Sequence, residues 1–375
     1  MSSLDLAGYT ARFASAPGYC DFARFGPVSL DVSRVVSATM ATLAEGTFNW
    51  ADLEAAELEA RRLAAELTGR AGPDQVVLTS SASPGLFQLA FALPGGPGAE
   101  VLVAPGEFPA NLHPWLRASE RGGPGVRLLD DGPVTPEVVT EALGPSTVAL
   151  AVSAVDYRSG YRADLEGLRR VLGGRLLLVD AIQGFGALDM GWQVADAVVV
   201  GGQKWLRAGW GTGFVSFSET ALDRLGPGLT GWWGMEDPMG YSVPPPRGRP
   251  QRTARRFAMT APDLVKAAAL AAGLRLLRDV TPAVVDRAVS ERAELVLAAV
   301  GTAGGRPLVP LGPGERSGIV SFSLPGAGPD ELAALLAARG IVVSARPGHV
   351  RVSAHATTPL WVLEELGAAL AGAAR

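Results

Sequence analysis

The sequence predicts an α/β protein built on a mostly parallel seven-stranded sheet, followed by a smaller α+β unit. Three observations carry this prediction. Seven short runs are almost continuously apolar, helical stretches fall between several of them, and the texture of the chain changes after Phe217. The runs are Val76–Thr79, Val101–Ala104, Val126–Leu129, Val148–Ser153, Leu176–Asp180, Ala197–Val200 and Gly213–Phe217. Unbroken apolar character marks strands covered on both faces, the habit of parallel sheets between helix layers. Residues 52–67 carry leucine and alanine at helical spacing, with Gly69 as a stop signal. Residues 137–143 and 165–172 are shorter helix candidates, and a further apolar helix runs from Leu86. Strands alternating with helices give the α/β class. After Phe217, residues 231–256 are rich in Trp, Gly, Pro and Arg and read as a long irregular segment of the kind that is often functional. Residues 261–277 and 281–300 then read as helices. Residues 319–324, 341–344 and 350–353 read as strands, 329–339 as a helix, and the end from Pro359 as helical again.

Composition removes several function classes. Of the residues, 48% are apolar and 19% charged, which excludes disorder as the main state. The net charge of −4 offers no basic face for nucleic acid. Cys20 is the sole cysteine, so there is no internal disulfide and no thiolate metal cluster. His113, His349 and His355 are too scattered in sequence to suggest a metal site. The start lacks a basic stretch followed by an apolar core, and no apolar run is long enough to span a bilayer. The expectation is a cytoplasmic protein without a membrane partner.

Lysine and arginine total 33, yet the only lysines are Lys204 and Lys266. Arginine can replace a lysine that supplies only charge. It cannot replace one that must act as a neutral amine or form a Schiff base. Lys266, in an alanine-rich helical stretch, reads as a solvated residue. Lys204 stands elsewhere. The run Leu176–Val179 ends in Asp180, with Gln183 three residues on, and the run Ala197–Val200 leads into Gly201, Gly202, Gln203 and Lys204. Ligands of open α/β sheets bind at the carboxyl ends of strands. A carboxylate, an amide and a rare lysine therefore gather where a ligand is expected. Pyridoxal phosphate needs such a set: a lysine amine, an acid beside its ring nitrogen, and backbone N–H groups for its phosphate. Ser80–Gly85, opening the helix near Leu86, is the candidate phosphate turn. A helix cap and a loop lysine are the structural alternative for these positions taken singly.

The order VDAIQ, then GGQKWLRAGWGTG, resembles the class V aminotransferases, a fold-type I pyridoxal-phosphate group that includes cysteine desulfurases, kynureninases and isopenicillin N epimerase. The resemblance implies the pyridoxal-phosphate-dependent transferase fold of type I. It divides the chain into a large cofactor-binding α/β domain over residues 20–250 and a small α+β domain from residues 1–19 and 251–375. It implies that Lys204 is the Schiff-base lysine, that Asp180 pairs with the pyridine nitrogen and that Gln183 meets the phenolic oxygen. Ala82 and Ser83 match the phosphate-cradling turn. Phe108, in EFPANLHPW, matches the ring that stacks on the cofactor. Asp156, in VDYRSG, matches a polar position near cofactor and substrate. Arg351, in VRVS, matches the arginine that grips the substrate carboxylate.

The departures are Gln203, where desulfurases commonly have histidine, and Gly201, where a phosphate-binding serine is common. The phosphate grip is then expected to involve Gln203, or Thr260 of RRFAMTAP from a second subunit of a homodimer. Desulfurases carry sulfur on a mobile cysteine in the C-terminal half. Residues 344–348 occupy the comparable loop here and contain none, which argues against a persulfide-forming desulfurase. The expected activity is a class V aminotransferase acting on an α-amino acid. A kynureninase-like hydrolase or carbon–sulfur lyase is the alternative, and a non-catalytic binding protein on the same fold is the contrasting class. The tryptophan-rich segment 231–241 is expected to help close the site.

Overall fold

A computed structural model describes residues 4–14, 16–239 and 248–373. All seven expected runs form one sheet: β1 (Val76–Leu78), β2 (Glu100–Val103), β3 (Gly125–Leu128), β4 (Thr147–Ser153), β5 (Leu176–Asp180), β6 (Ala197–Gly201) and β7 (Gly213–Phe217). Their order is β1-β7-β6-β5-β4-β2-β3. Pairs from β6 through β3 are parallel, and β7 is antiparallel to both β1 and β6. One reversed strand thus sits in an otherwise parallel sheet. Alternate side chains enter opposite cores. Leu177, Val179, Val198 and Val200 join one, while Leu176, Leu178, Ala197 and Val199 join the other. Burial on both faces is the physical reason these strands read as continuous apolar runs.

The second sheet comprises β8 (Arg306–Pro307), β9 (Ile319–Ser323), β10 (Ser344–Arg346) and β11 (His349–Ser353), in the order β10-β11-β9-β8 and antiparallel throughout. The strand expected at 341–344 begins at Ser344 instead. Val342 makes a single parallel bridge with Tyr19, so residues before Ser344 pair with the N-terminal segment. Residues 344–348, expected as a loop, are a strand and the tight turn of the β10–β11 hairpin.

The Trp50–Leu67 helix packs against Leu264–Val280, and Leu270, Leu274, Val285 and Val289 belong to the core of the large sheet. Side chains of the Pro282–Thr302 helix enter the second core only from Ala293 onward. The Leu30–Glu45 and Pro109–Ser119 helices had no counterpart among the expected elements. The first buries only Val32 fully although Val35, Val36, Met40 and Leu43 continue its apolar stripe, and the second contains Pro114. Among the described residues no helix is long and apolar enough to cross a membrane.

One glycine fastens the two sheets together. Gly160 has φ +79°, and a β-carbon there would overlap the carbonyl of Ile319 on β9. Gly160→Ala is expected to destabilise the fold by about 2–4 kcal/mol, from backbone strain plus a displaced backbone. A urea unfolding midpoint unchanged from the parent would refute this.

Candidate active site

The carboxyl ends of β4, β5 and β6 define the site. Asp180 closes β5 in register with Ser153 on β4, and both chain directions deliver them to the same sheet edge. Asp180 is buried, and its Oδ1 accepts from the Ile182 N–H at 3.0 Å. Burial pushes its carboxyl up to about 6, against the pull of that N–H and of Lys204. Lys204 follows β6. Burial brings its amine down to about 8, with Asp180 opposing and Arg351 and Arg346 assisting. Among the described residues Nζ has no hydrogen-bond partner, and it lies 5.8 Å from the centroid of the Phe108 ring. Phe108 is 47% exposed and meets Tyr157 edge-on at 5.2 Å. A bare aromatic face, an amine and a buried carboxylate thus converge.

The lysine loop is held from behind by Arg207, a residue that sequence reasoning did not single out. It is buried with φ +58°, donates from Nε to the Pro27 carbonyl at 2.6 Å and from Nη1 to Thr357 Oγ1 at 2.8 Å, and lies 3.5 Å above the Phe13 ring. Gln183 is buried beside it. Its Nε2 donates to the Ala23 carbonyl and its Oε1 accepts from the Trp205 indole, each at 2.9 Å. One N–H of that amide remains for another acceptor. His355 is fully buried and forms a three-ring cluster with Phe22 and Trp205, with centroids 4.9 and 6.2 Å away.

At the neighbouring edge the Ala82–Ala92 helix begins after Ser81, whose side chain caps nothing, so the first-turn N–H groups are open. Gly85 lets this helix close on the sheet, since a β-carbon there would fall 2.7 Å from Val215 and 2.9 Å from Val199. A β-carbon at Gly213 would lie 3.3 Å from the Ser81 backbone carbon, so the start of this helix, from Ala82, lies by the Gly201↔Gly213 pair. A β-carbon at Gly201 would lie 2.8 Å from Gln203 Oε1 and 2.8 Å from Ile182 Cδ1. The absent side chain at 201 is what makes room for the Gln203 amide.

Other expected residues are placed differently. Both carboxylate oxygens of Asp156 are engaged in its own turn, accepting from the N–H groups of Arg158 (2.6 Å) and Ser159 (2.8 Å) and pairing with the Arg158 guanidinium at 3.3 Å. Thr260 lines a cleft of about 290 Å³ with Ser80, Thr212 and Lys266, and neither Lys204 nor Asp180 borders it. Lys266 is not simply solvated, because its stem packs on Gly211 and a β-carbon there would lie 3.2 Å from Cε. Arg351 is buried on β11, 3.4 Å from Asp21 Oδ1, and donates to the Tyr157 carbonyl at 3.0 Å. Of segment 231–241, residues 240 and 241 lie outside the described residues.

Glu107 was missed. It follows β2 and accepts from the Ser153 N–H at 2.7 Å and from the Ser153 hydroxyl. Burial pushes it up to about 7, against those hydrogen bonds, with Asp180 adding to the rise. It clamps the Phe108 loop onto the end of β4. Its signal in the sequence is a single acid just past a buried strand, comparable to Asp180 at the end of β5.

The family description Aminotransferase class-V matches residues 44–368. The chain belongs to this family. Its members are pyridoxal-phosphate-dependent enzymes. The chain is 28% identical over 301 residues to a probable cysteine desulfurase of Aeropyrum pernix, covering 76% of this chain and 72% of that protein. It is 29% identical over 321 residues to a kynureninase of Deinococcus radiodurans, covering 81% and 74%. In fold it resembles the apo cysteine desulfurase of Thermococcus onnurineus NA1, with TM-score 0.86 and 20% identity over 99% of both chains. It also resembles the cystine C-S lyase C-DES, with TM-score 0.83 and 22% identity over 95% and 97%. The class V fold accounts for the sheet order, and the site residues fit the group that the family carries. Lys204 offers an unengaged amine, Asp180 a buried carboxylate beside it, and Phe108 an exposed ring facing the amine.

Proposed function

We propose that this class V enzyme uses pyridoxal phosphate held by Lys204 to cleave a bond in the side chain of an α-amino acid. The observation that carries the reading is the meeting of Lys204, Asp180 and Phe108 at the ends of β5 and β6. The cofactor, when bound, supplies the electron sink for a carbanion at the substrate's α-carbon. Asp180 would hold the cofactor's ring nitrogen in its positive form. The Gln183 N–H that is left over suits the phenolic oxygen. The first-turn N–H groups at Ala82 and Ser83, with the Gln203 amide, suit the phosphate. Lys204 Nζ, pushed toward its neutral form, takes or returns the proton at the α-carbon. Arg351 offers the substrate carboxylate a guanidinium whose Nε is buried without a partner among the described residues. The turn bonds of Asp156 leave it the role of shaping the wall beneath Tyr157.

Side-chain cleavage stands ahead of amino transfer because the curated relatives are named for desulfurase and kynureninase activity. A persulfide carried on this chain is disfavoured. Cys20 is completely buried in the core of the second sheet, and its thiol is pushed up to about 12 by burial, with Asp21 adding to it. The β10–β11 turn has no cysteine to replace it. The second reading, amino transfer, rests on the family description. Incubation with amino acids, with and without a keto acid, separates the two. Ammonia or a cleaved side-chain product without any acceptor supports cleavage. A new amino acid formed only when a keto acid is present supports transfer.

A second copy of the chain fits the cleft that Thr260 lines. Exposed Met259 borders it, exposed Trp210 adjoins it through Gly211, and exposed Trp232 follows Gly231, which packs on Met259. A homodimer would bring Thr260 to the neighbour's phosphate. We place the division between the large and small units inside Pro282–Thr302 instead of near residue 250, following the change of core along that helix.

A further inference from the structure

The β10–β11 hairpin carries more positive charge than one substrate carboxylate requires. Its register pairs Ser344 with Arg351 and Arg346 with His349. Cross-strand partners share a face, and so do residues two apart, so Ser344, Arg346, His349 and Arg351 all project to one side. The other side is apolar, with Val350 and Val352 in the second core. The polar side faces the site: Arg351 reaches the Tyr157 carbonyl next to Phe108, and both arginines depress the Lys204 amine. Asp21 is the only carboxylate that pairs with this face among the described residues. It is committed to Arg351 at 3.4 Å and to the Ser344 hydroxyl at 2.8 Å. Arg346 has no ion-pair partner among the described residues, is exposed, and bears on both His349 and Arg351.

We infer that Arg346 is a specificity residue for a second anionic group, so that the substrate is an α-amino acid bearing a carboxylate, sulfinate or phosphate on its side chain. This rests on the proposed function, in which Arg351 takes the α-carboxylate. Arg346 and Arg351 are diagonal neighbours across the hairpin, roughly 7–8 Å apart along the backbone, within reach of two long side chains converging on one short molecule. A guanidinium is suited to each of these anions because its fork of N–H groups matches their paired oxygens. With Asp21 committed to Arg351, a substrate of that class supplies the negative charge that this face lacks.

The test uses the enzyme reconstituted with pyridoxal phosphate and reads the shift of its visible absorbance. Aspartate, glutamate and cysteine sulfinate are titrated beside asparagine, glutamine and alanine. At least one anionic member is expected to bind about 10- to 100-fold more tightly than its neutral counterpart, the scale of a hydrogen-bonded charge. Arg346→Gln is expected to collapse that ratio toward one, and Arg346→Lys to retain part of it. A parent enzyme with no anionic preference, or an Arg346→Gln variant that keeps the full preference, overturns the inference. If the parent shows no cofactor band before any amino acid is added, the proposed function itself has failed, and the inference falls with it.

Discussion

Changing Lys204 to alanine is expected to remove the covalently held, reducible chromophore and to lower turnover by ~10⁴-fold or more, the scale on which loss of a covalent nucleophile acts. Borohydride reduction and digestion of the parent should tag the peptide containing Lys204. The chain makes this test unusually clean, because Lys266 is the only other lysine. A tag on Lys266, or on neither, would sink the assignment. The reaction of the apoprotein with pyridoxal phosphate also carries a pH signature. Below about 8 the Lys204 amine is protonated and cannot attack, while above it the neutral form dominates. Attachment should rise through about pH 8. An ordinary lysine would rise roughly two units later. A midpoint at that later position would show that burial in the apoprotein's site does not set the amine's state.

The second large effect is expected at Asp180. Asp180→Asn keeps the shape and keeps an oxygen for the Ile182 N–H, so the fold should hold. What it removes is a buried negative charge where the proposed function puts a positive ring nitrogen. Loss of one partner of a buried pair costs about 3–5 kcal/mol, equivalent to roughly 10²- to 5 × 10³-fold. Turnover is expected to fall on that scale, with weaker cofactor retention, while the unfolding midpoint stays close to that of the parent. An unfolding transition that collapses together with activity would point to a structural carboxylate instead. The sign of the pH effect follows from burial, which raises this group to about 6. In the apoprotein the charge needed opposite the cation is present above that value and lost as pH falls through it.

The main sheet was legible because its strands are buried on both faces, and a strand with two apolar faces needs no tertiary information to be seen. The same reasoning failed at residues 341–346. Val342 and Ser344 differ little in local pattern, and what separates them is the bridge from Tyr19, a partner more than 300 residues away. The Leu30–Glu45 helix was missed despite the apolar stripe from Val32 to Leu43, and it keeps most of its surface out of the core.

In the site, Lys204 and Asp180 could be found from scarcity and position. One of only two lysines in an arginine-rich chain draws a question about its amine, and strand ends collect ligands. Gln183 was found too, but its ties to Ala23 and Trp205 come from segments that only folding brings together. For Asp156 and Thr260 the motif gives a position and folding gives the surroundings: Asp156 bonds within its own turn, and Thr260 faces a cleft away from the lysine of its own chain, as a role toward a second subunit requires.

Composition and order along the chain were enough to set the architecture and to point to Lys204 and Asp180 as the proposed amine and its acid, because burial periodicity and amine chemistry are local properties. Which polar atoms remain free was settled only by packing. The Glu107 clamp on Ser153 and the charge of Arg346, unpaired among the described residues, beside an Arg351 already held by Asp21 arise between distant segments. Hydrogen-bond satisfaction and charge balance depend on neighbours in space, and those neighbours exist only after the chain has folded.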